Sequence, residues 1–135
     1  MAKSLQVVVV TPEQTALEQE ADFVALPLYD GEIGIAPSHS PLIGRLGFGE
    51  MRIKTASKDT HYYIDGGFVQ VVDNVVSVLT NRAIPASELD VAAAQTQLTE
   101  AMRKPVSTPE LLAVRNRSID QARAQIRVAK HAGRA

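Results

Sequence analysis

Residues 69–79 read Val-Gln-Val-Val-Asp-Asn-Val-Val-Ser-Val-Leu. Two valine-rich runs flank an Asp-Asn pair. Both central residues tolerate the positive φ that a tight two-residue hairpin turn needs. The stretch therefore predicts an antiparallel hairpin, Val69–Val72 against Val75–Leu79. Outward from it the same grammar continues. Leu5–Val10 reads as a strand closed by Thr11-Pro12, and Asp22–Leu28 as a second strand, apolar on both faces. Met51–Thr55 alternates apolar and polar with period two, as a half-exposed strand does. Short strands at regular spacing with turn residues between them imply an antiparallel sandwich or flattened barrel.

After Pro85 the pattern changes. Ser87-Glu88-Leu89-Asp90 reads as a helix start, with Ser87 placed to cap and an acid following it. Val91, Ala94, Leu98 and Ala101 then recur at helical spacing, and Pro105 ends the run. Ser107-Thr108-Pro109-Glu110 starts a second helix, with proline in its first turn and an acid near the positive end of its dipole. Leu112, Ile119, Ala122, Ile126 and Ala129 form its expected apolar stripe. The short connection predicts an antiparallel helical hairpin. Its apolar faces are narrow and rich in alanine, so the pair has to lean on something to persist. Two units follow: a β-sandwich over residues 1–85 and a helical hairpin over 86–135.

The totals narrow the function. The 135 residues contain no cysteine or tryptophan, and 4% are aromatic. Disulfides, thiolate nucleophiles and cysteine-bound metals are excluded. No apolar run approaches the roughly 20 residues that span a bilayer, and Met1–Ser4 leads straight into a strand, so a soluble cytoplasmic protein is expected. The net charge of −1 hides an asymmetry: residues 110–135 carry six basic and two acidic side chains, the rest eight and thirteen. Arg123, Arg127, Lys130 and Arg134 step by four, three and four along one helix flank. The stripe is either a solvated face or a docking stripe for an acidic surface. Nucleic acid is disfavoured, because the chain is acidic overall and no aromatics interleave the basic residues.

No catalytic constellation assembles from the sequence. His39, His61 and His131 are not at metal-ligand spacing from one another, and no metal site is expected. His39 lies between two serines with no partner base or oxyanion hole, so it reads as a loop histidine. Gly44–Gly49 lacks the Lys-Ser/Thr of a phosphate loop and reads as turn glycine. Gly66-Gly67 inside a strand pattern implies a bulge or a close backbone approach. Asp30 and Glu32 flank Gly31 in what reads as an exposed turn.

The run Asp30-Gly31-Glu32-Ile33-Gly34-Ile35-Ala36-Pro37-Ser38-His39-Ser40-Pro41-Leu42, with Gly66-Gly67-Phe68-Val69-Gln70-Val71 and a two-helix tail from Leu89-Asp90, resembles the epsilon subunit of bacterial F-type ATP synthases. The resemblance spans the chain. It implies a non-catalytic rotor subunit on the cytoplasmic face of the inner membrane, membrane-associated only through its complex. The fold it implies is a sandwich of about ten strands followed by a helical hairpin. The sandwich would grip the gamma subunit and rest on the c-ring through Asp30, Gly31, Glu32 and Ile33, with Gly34, Pro37, His39, Pro41, Gly66 and Gly67 shaping the loops. The hairpin would move and inhibit ATP hydrolysis. Arg115, Arg123, Arg127, Lys130 and Arg134 would meet an acidic segment of the catalytic beta subunit, next to alpha. No cofactor is expected. Some members bind ATP through Leu/Ile-Asp-x-x-Arg-Ala, whereas this chain reads Leu89-Asp90-Val91-Ala92-Ala93-Ala94, and Gln121 and Gln125 replace further arginines. ATP binding should therefore be weak or absent. The alternative from the residues alone is a free-standing β-sandwich adaptor whose basic hairpin binds an acidic protein.

Overall fold

The computed structural model describes residues 4–132. Eight strands precede two helices: β1 Leu5–Val10, β2 Thr15–Ala21, β3 Phe23–Leu28, β4 Gly31–Ile35, β5 Leu42–Lys54, β6 Asp59–Val72, β7 Val75–Leu79 and β8 Ala83–Pro85. A 3₁₀ turn at Ala86–Glu88 leads to α1, Val91–Arg103, and α2, Pro109–Ala132. The strands form one continuous sheet in the order β2-β1-β7-β6-β5-β3-β4, with β8 also on β6. The sheet folds over on itself because β5 and β6 are long enough to serve both layers. The first part of β6 pairs with β8 and its last part with β7.

The sandwich is as expected, but the count is eight strands and not about ten, because β5 and β6 run unbroken through the bend. One pairing also departs from the antiparallel pattern: β1 lies parallel to β7. The Asp73-Asn74 turn does form, with φ of 50° and 64°. The glycines of Gly44–Gly49 are not turn residues; they lie inside β5. A side chain at Gly49 would run into Pro27, and one at Gly47 would press on the Leu28 carbonyl. They are small because β3 crosses β5 closely. Gly31–Ile35 is likewise a strand, paired with β3, and tight turns flank it at Tyr29-Asp30 and Pro37-Ser38. The Asn74 side chain accepts a hydrogen bond from the Ser38 amide at 2.6 Å, which ties the second turn to the β6–β7 hairpin.

Alternation along the strands places Leu5, Val7 and Val9 of β1, Val69 and Val71 of β6 and Val76 and Val78 of β7 in one core, with Leu26, Met51, Ile53 and Ile64. No aromatic side chain is among the buried members of this core, and β-branched side chains fill the space between the twisted layers.

The helices start where local chemistry allows. Asp90, not Ser87, caps α1: its Oδ1 accepts the Ala93 amide at 3.0 Å, while Pro85 opens the preceding 3₁₀ turn. The Thr108 hydroxyl accepts the Leu111 amide at 3.1 Å and caps α2, with Pro109 following. The hairpin folds back on the sandwich. Gln97 of α1 donates to the Ser118 carbonyl of α2 at 3.0 Å. Leu112 is exposed rather than part of the buried stripe, because the first turns of α2 reach past the sandwich.

Candidate functional site

The outer face of β5 and β6 presents Phe48, Glu50 and Arg52 beside His61, Tyr63 and Asp65, since residues two apart share a face and the register sets Glu50 opposite Tyr63. The last three turns of α2 cover this face. Gln121, Ala124, Gln125, Val128 and His131 recur every three or four residues along one side of the helix. From Gln121 to His131 the helix rises roughly 15 Å. From Asp65 to His61 the strand runs roughly 13 Å. The two lengths match, so one helix stripe meets one strand face residue by residue.

The apolar part of this seam is small. Tyr63, Ala86, Ala124 and Val128 are its buried members, with Phe48, Ile84, Leu89 and Ala132 packed around them. The sandwich core has fifteen buried residues, so the seam is the weaker of the two clusters. Burial follows area, and alanine contributes little of it. The sequence stripe of Ile119, Ala122 and Ile126 is also buried, but it lies around the helix from Ala124 and Val128, toward α1. Thus α2 has two buried faces, and the sequence showed only one.

Polar links close both ends of the seam. At one end Asp65 is 4% exposed and receives Tyr63 Oη at 2.7 Å, Gln121 Nε2 at 3.0 Å and Arg82 Nε at 3.2 Å. Burial, and then the neighbouring Asp65, push the Tyr63 hydroxyl well above the usual phenol range, so it stays a neutral donor. At the other end Glu50 Oε2 lies 2.8 Å from His131 Nδ1 and 3.2 Å from His61 Nδ1. Gln121 stood out in the sequence only as the replacement of an arginine, and Asp65, Tyr63 and Glu50 did not stand out as site residues. The available signal was alternation: in β6, Tyr62 and Ile64 face one way and His61 and Tyr63 the other, so both faces of the strand expect a partner.

A groove separates α2 from the neighbouring sheet face. Phe68, Leu79, Arg45 and Tyr29 line one wall, and Arg117, Asp120, Arg123 and Arg127 the other. The Arg45 guanidinium sits 4.7 Å from the Tyr29 ring centre. Beyond it the sheet exposes Val10, Ile43, Phe68, Val72, Val75 and Leu79. These residues alternate with the core valines, so they form one continuous outer face of β1, β7, β6 and β5. Contiguous apolar surface of this kind marks an interaction site.

The sequence-selected residues fall in separate places. Arg123, Arg127 and Lys130 are exposed on α2, Arg115 is half-buried, and Arg134 lies outside the described residues. Asp30, Gly31 and Glu32 are exposed at the β3–β4 turn, and Ile33 is half-buried. Glu32 meets Arg52 at 3.1 Å. Strand β4, with Gly34, separates these residues from the Pro37–Pro41 turn, so the two are not one loop. His39 Nδ1 sits 2.7 Å from the Ser40 carbonyl oxygen, a local contact of a loop histidine. Gly66 and Gly67 have φ of 73° and 109° at the bend of β6. Pairing with β5 keeps one register across them, so they mark a close approach rather than a bulge.

The family model described as "ATP synthase, Delta/Epsilon chain, beta-sandwich domain" matches residues 4–86. The ATP synthase epsilon chain of Rhodopirellula baltica is 50% identical over 127 residues, which covers 94% of this chain and 99% of that one. The chain belongs to the ATP synthase epsilon family. As a member of that family it is an accessory subunit and not a catalytic one, and ATP synthesis and ion transport are properties of the complex it serves. Membership decides between the two readings of the sequence, against the free-standing adaptor. The epsilon fold extends to distant structures. A chain in the Euglena gracilis mitochondrial ATP synthase, solved as OSCP/F1/c-ring, superposes with a TM-score of 0.82 at 20% identity, covering 98% of this chain and 82% of that chain. A chain in the central stalk/c-ring structure of the Tetrahymena thermophila enzyme gives 0.74 at 15% identity, covering 94% and 97%. Among the described residues no helix is long and apolar enough to cross a membrane.

Proposed function

We propose that this epsilon-family chain couples the gamma subunit to the c-ring in the central stalk, at the cytoplasmic face of a bacterial inner membrane, and restrains ATP hydrolysis through its hairpin. The observation that carries the regulatory part is the seam: α2 rests on the sandwich by one alanine-rich stripe with a polar link at each end. Elements held this way open at modest cost. Swinging such an equilibrium from 1:99 to 99:1 takes about 5.5 kcal/mol of differential contact. A few charge contacts plus some apolar burial are of that order.

In this reading the exposed apolar sheet face docks gamma, and Asp30, Gly31, Glu32 and Ile33 meet the polar loops of the ring. When the hairpin leaves the sandwich, Arg115, Arg123, Arg127, Lys130 and Arg134 reach an acidic segment of the beta subunit, flanked by alpha. Each exposed pair contributes only about 0.2–1 kcal/mol. Replacing Arg123, Arg127, Lys130 and Arg134 together by alanine is expected to raise the ATPase rate of the assembled complex about fivefold or more. An unchanged rate would count against inhibition by this stripe.

The hairpin carries no ATP site in this reading. Asp90 is spent as the α1 cap, Gln121 on Asp65, and Ala93 offers no guanidinium. Calorimetry of the isolated chain with ATP should give no measurable heat at micromolar concentrations; micromolar affinity would overturn this.

A further inference from the structure

Glu50, His61 and His131 are unused by the coupling and inhibition proposed above. They come from β5, β6 and the last turn of α2. The fold brings one ligand atom from each within 4.8 Å of one another. The two imidazoles stand edge to face at 80°, with ring centres 5.8 Å apart. Both therefore aim a nitrogen at the same carboxylate oxygen without stacking. Two imidazoles and a carboxylate are a known open donor set for zinc, which takes ligands at about 2.0–2.2 Å in a tetrahedron with water completing the shell. Ligand atoms in such a shell stand about 3.4 Å apart, so the separations of 2.8 and 3.2 Å to the carboxylate oxygen have to open slightly, while the set as a whole, within 4.8 Å, has to draw around the ion.

The fixed charges around the site balance. Arg52 lies toward the other oxygen, Glu50 Oε1, at 3.9 Å, and its charge is shared with Glu32 at 3.1 Å. Oε2 is left to the histidines. Arg127 lines the adjoining cavity with Glu32, Glu50 and His131, so the local charges are two acids and two guanidinium groups. Glu50 and His61 are about 13% exposed, whereas His131 is 54% exposed, which leaves an entry path from the helix side.

We propose that Glu50, His61 and His131 form a zinc-class divalent metal site that closes only while α2 lies on the sandwich, so that the bound ion pins the C-terminal end of the hairpin. Binding itself does not depend on the hairpin's moving; the pinning rests on the movable hairpin proposed above. With free metal at about one hundred times Kd, the docked state gains about a hundredfold over the undocked one.

The test is titration of the isolated full chain with Zn²⁺ by calorimetry, alongside hydrogen exchange of residues 119–132. Wild type should bind one ion with micromolar affinity and exchange those amides more slowly with metal present. His131→Ala, a largely exposed position whose loss leaves the core intact, should weaken binding at least about tenfold and abolish the added protection. His61→Ala should do the same. Absence of binding by wild type, or equal binding by His131→Ala, would overturn the site. Binding that needs His131 but leaves exchange unchanged would overturn the pinning. Neither result depends on the assembled complex, so each is separable from the ATPase experiment.

Discussion

Replacing Gly67 by alanine should severely destabilise the sandwich. The added Cβ would fall inside the carbonyl oxygen of Leu79, a backbone atom held in the β6–β7 ladder, and the residue already sits at φ of 109°. A flexible neighbour could swing aside; this carbonyl cannot move without breaking the Phe68–Leu79 pairing beside it. The expected cost is about 4 kcal/mol or more, in the range reserved for severe lesions. Since small domains hold only about 5–15 kcal/mol in all, a large share of the stability goes. Gly66→Ala is the control. Its φ is 73°, but the nearest contact for a new Cβ is Phe48 at an ordinary 3.5 Å, so the cost is that of a left-handed alanine, about 1–2 kcal/mol. Thermal melts of both variants decide the matter. A Gly67→Ala protein that melts within a few degrees of wild type would show that the bend is not a close approach.

The second large effect is expected at Asp65. Asp65→Ala removes the acceptor for a buried phenol and for the amide that ties α2 down. Arg82 is 47% exposed and can turn to water, so its charge is screened and adds little. The main loss is the unsatisfied Tyr63 hydroxyl, and the variant should be about 2–4 kcal/mol less stable. At roughly 3–5 °C per kcal/mol for a chain of this size, the melting point should fall about 6–20 °C. Gln121→Ala gives the contrast. It removes only the helix side of the network, so α2 should exchange its amides faster while the melt of the sandwich barely changes. Equal melting losses for both would mean that Asp65 serves the hairpin alone.

The readable parts of the chain were those governed by neighbours in sequence. Valine runs around Asp73-Asn74, Pro105 and the Thr108-Pro109 start each depend on a few adjacent residues, and each forms where the pattern put it. The Ser87 cap failed locally: Pro85 sets a 3₁₀ turn over Ala86–Glu88, and the acid three residues on, Asp90, caps α1 instead. The glycines of β5 failed for another reason. Their spacing looks like turn chemistry, yet they are small to let β3 pass, and that crossing lies far away in sequence.

The strand-then-helix order and the basic flank of α2 were determined by the sequence alone, because composition and short-range spacing carry them, and the family was legible as a resemblance in the Asp30–Leu42 run and the double glycine. Tertiary structure alone decided which face of α2 is buried against the sandwich, that Asp65 is the hub of a buried network, and that His61 and His131 meet at Glu50. Those two histidines lie far outside ligand spacing along the chain, and only the docking of a helix onto a strand face sets their rings 5.8 Å apart. Pattern along a chain reports what one element needs, but not which partner will supply it.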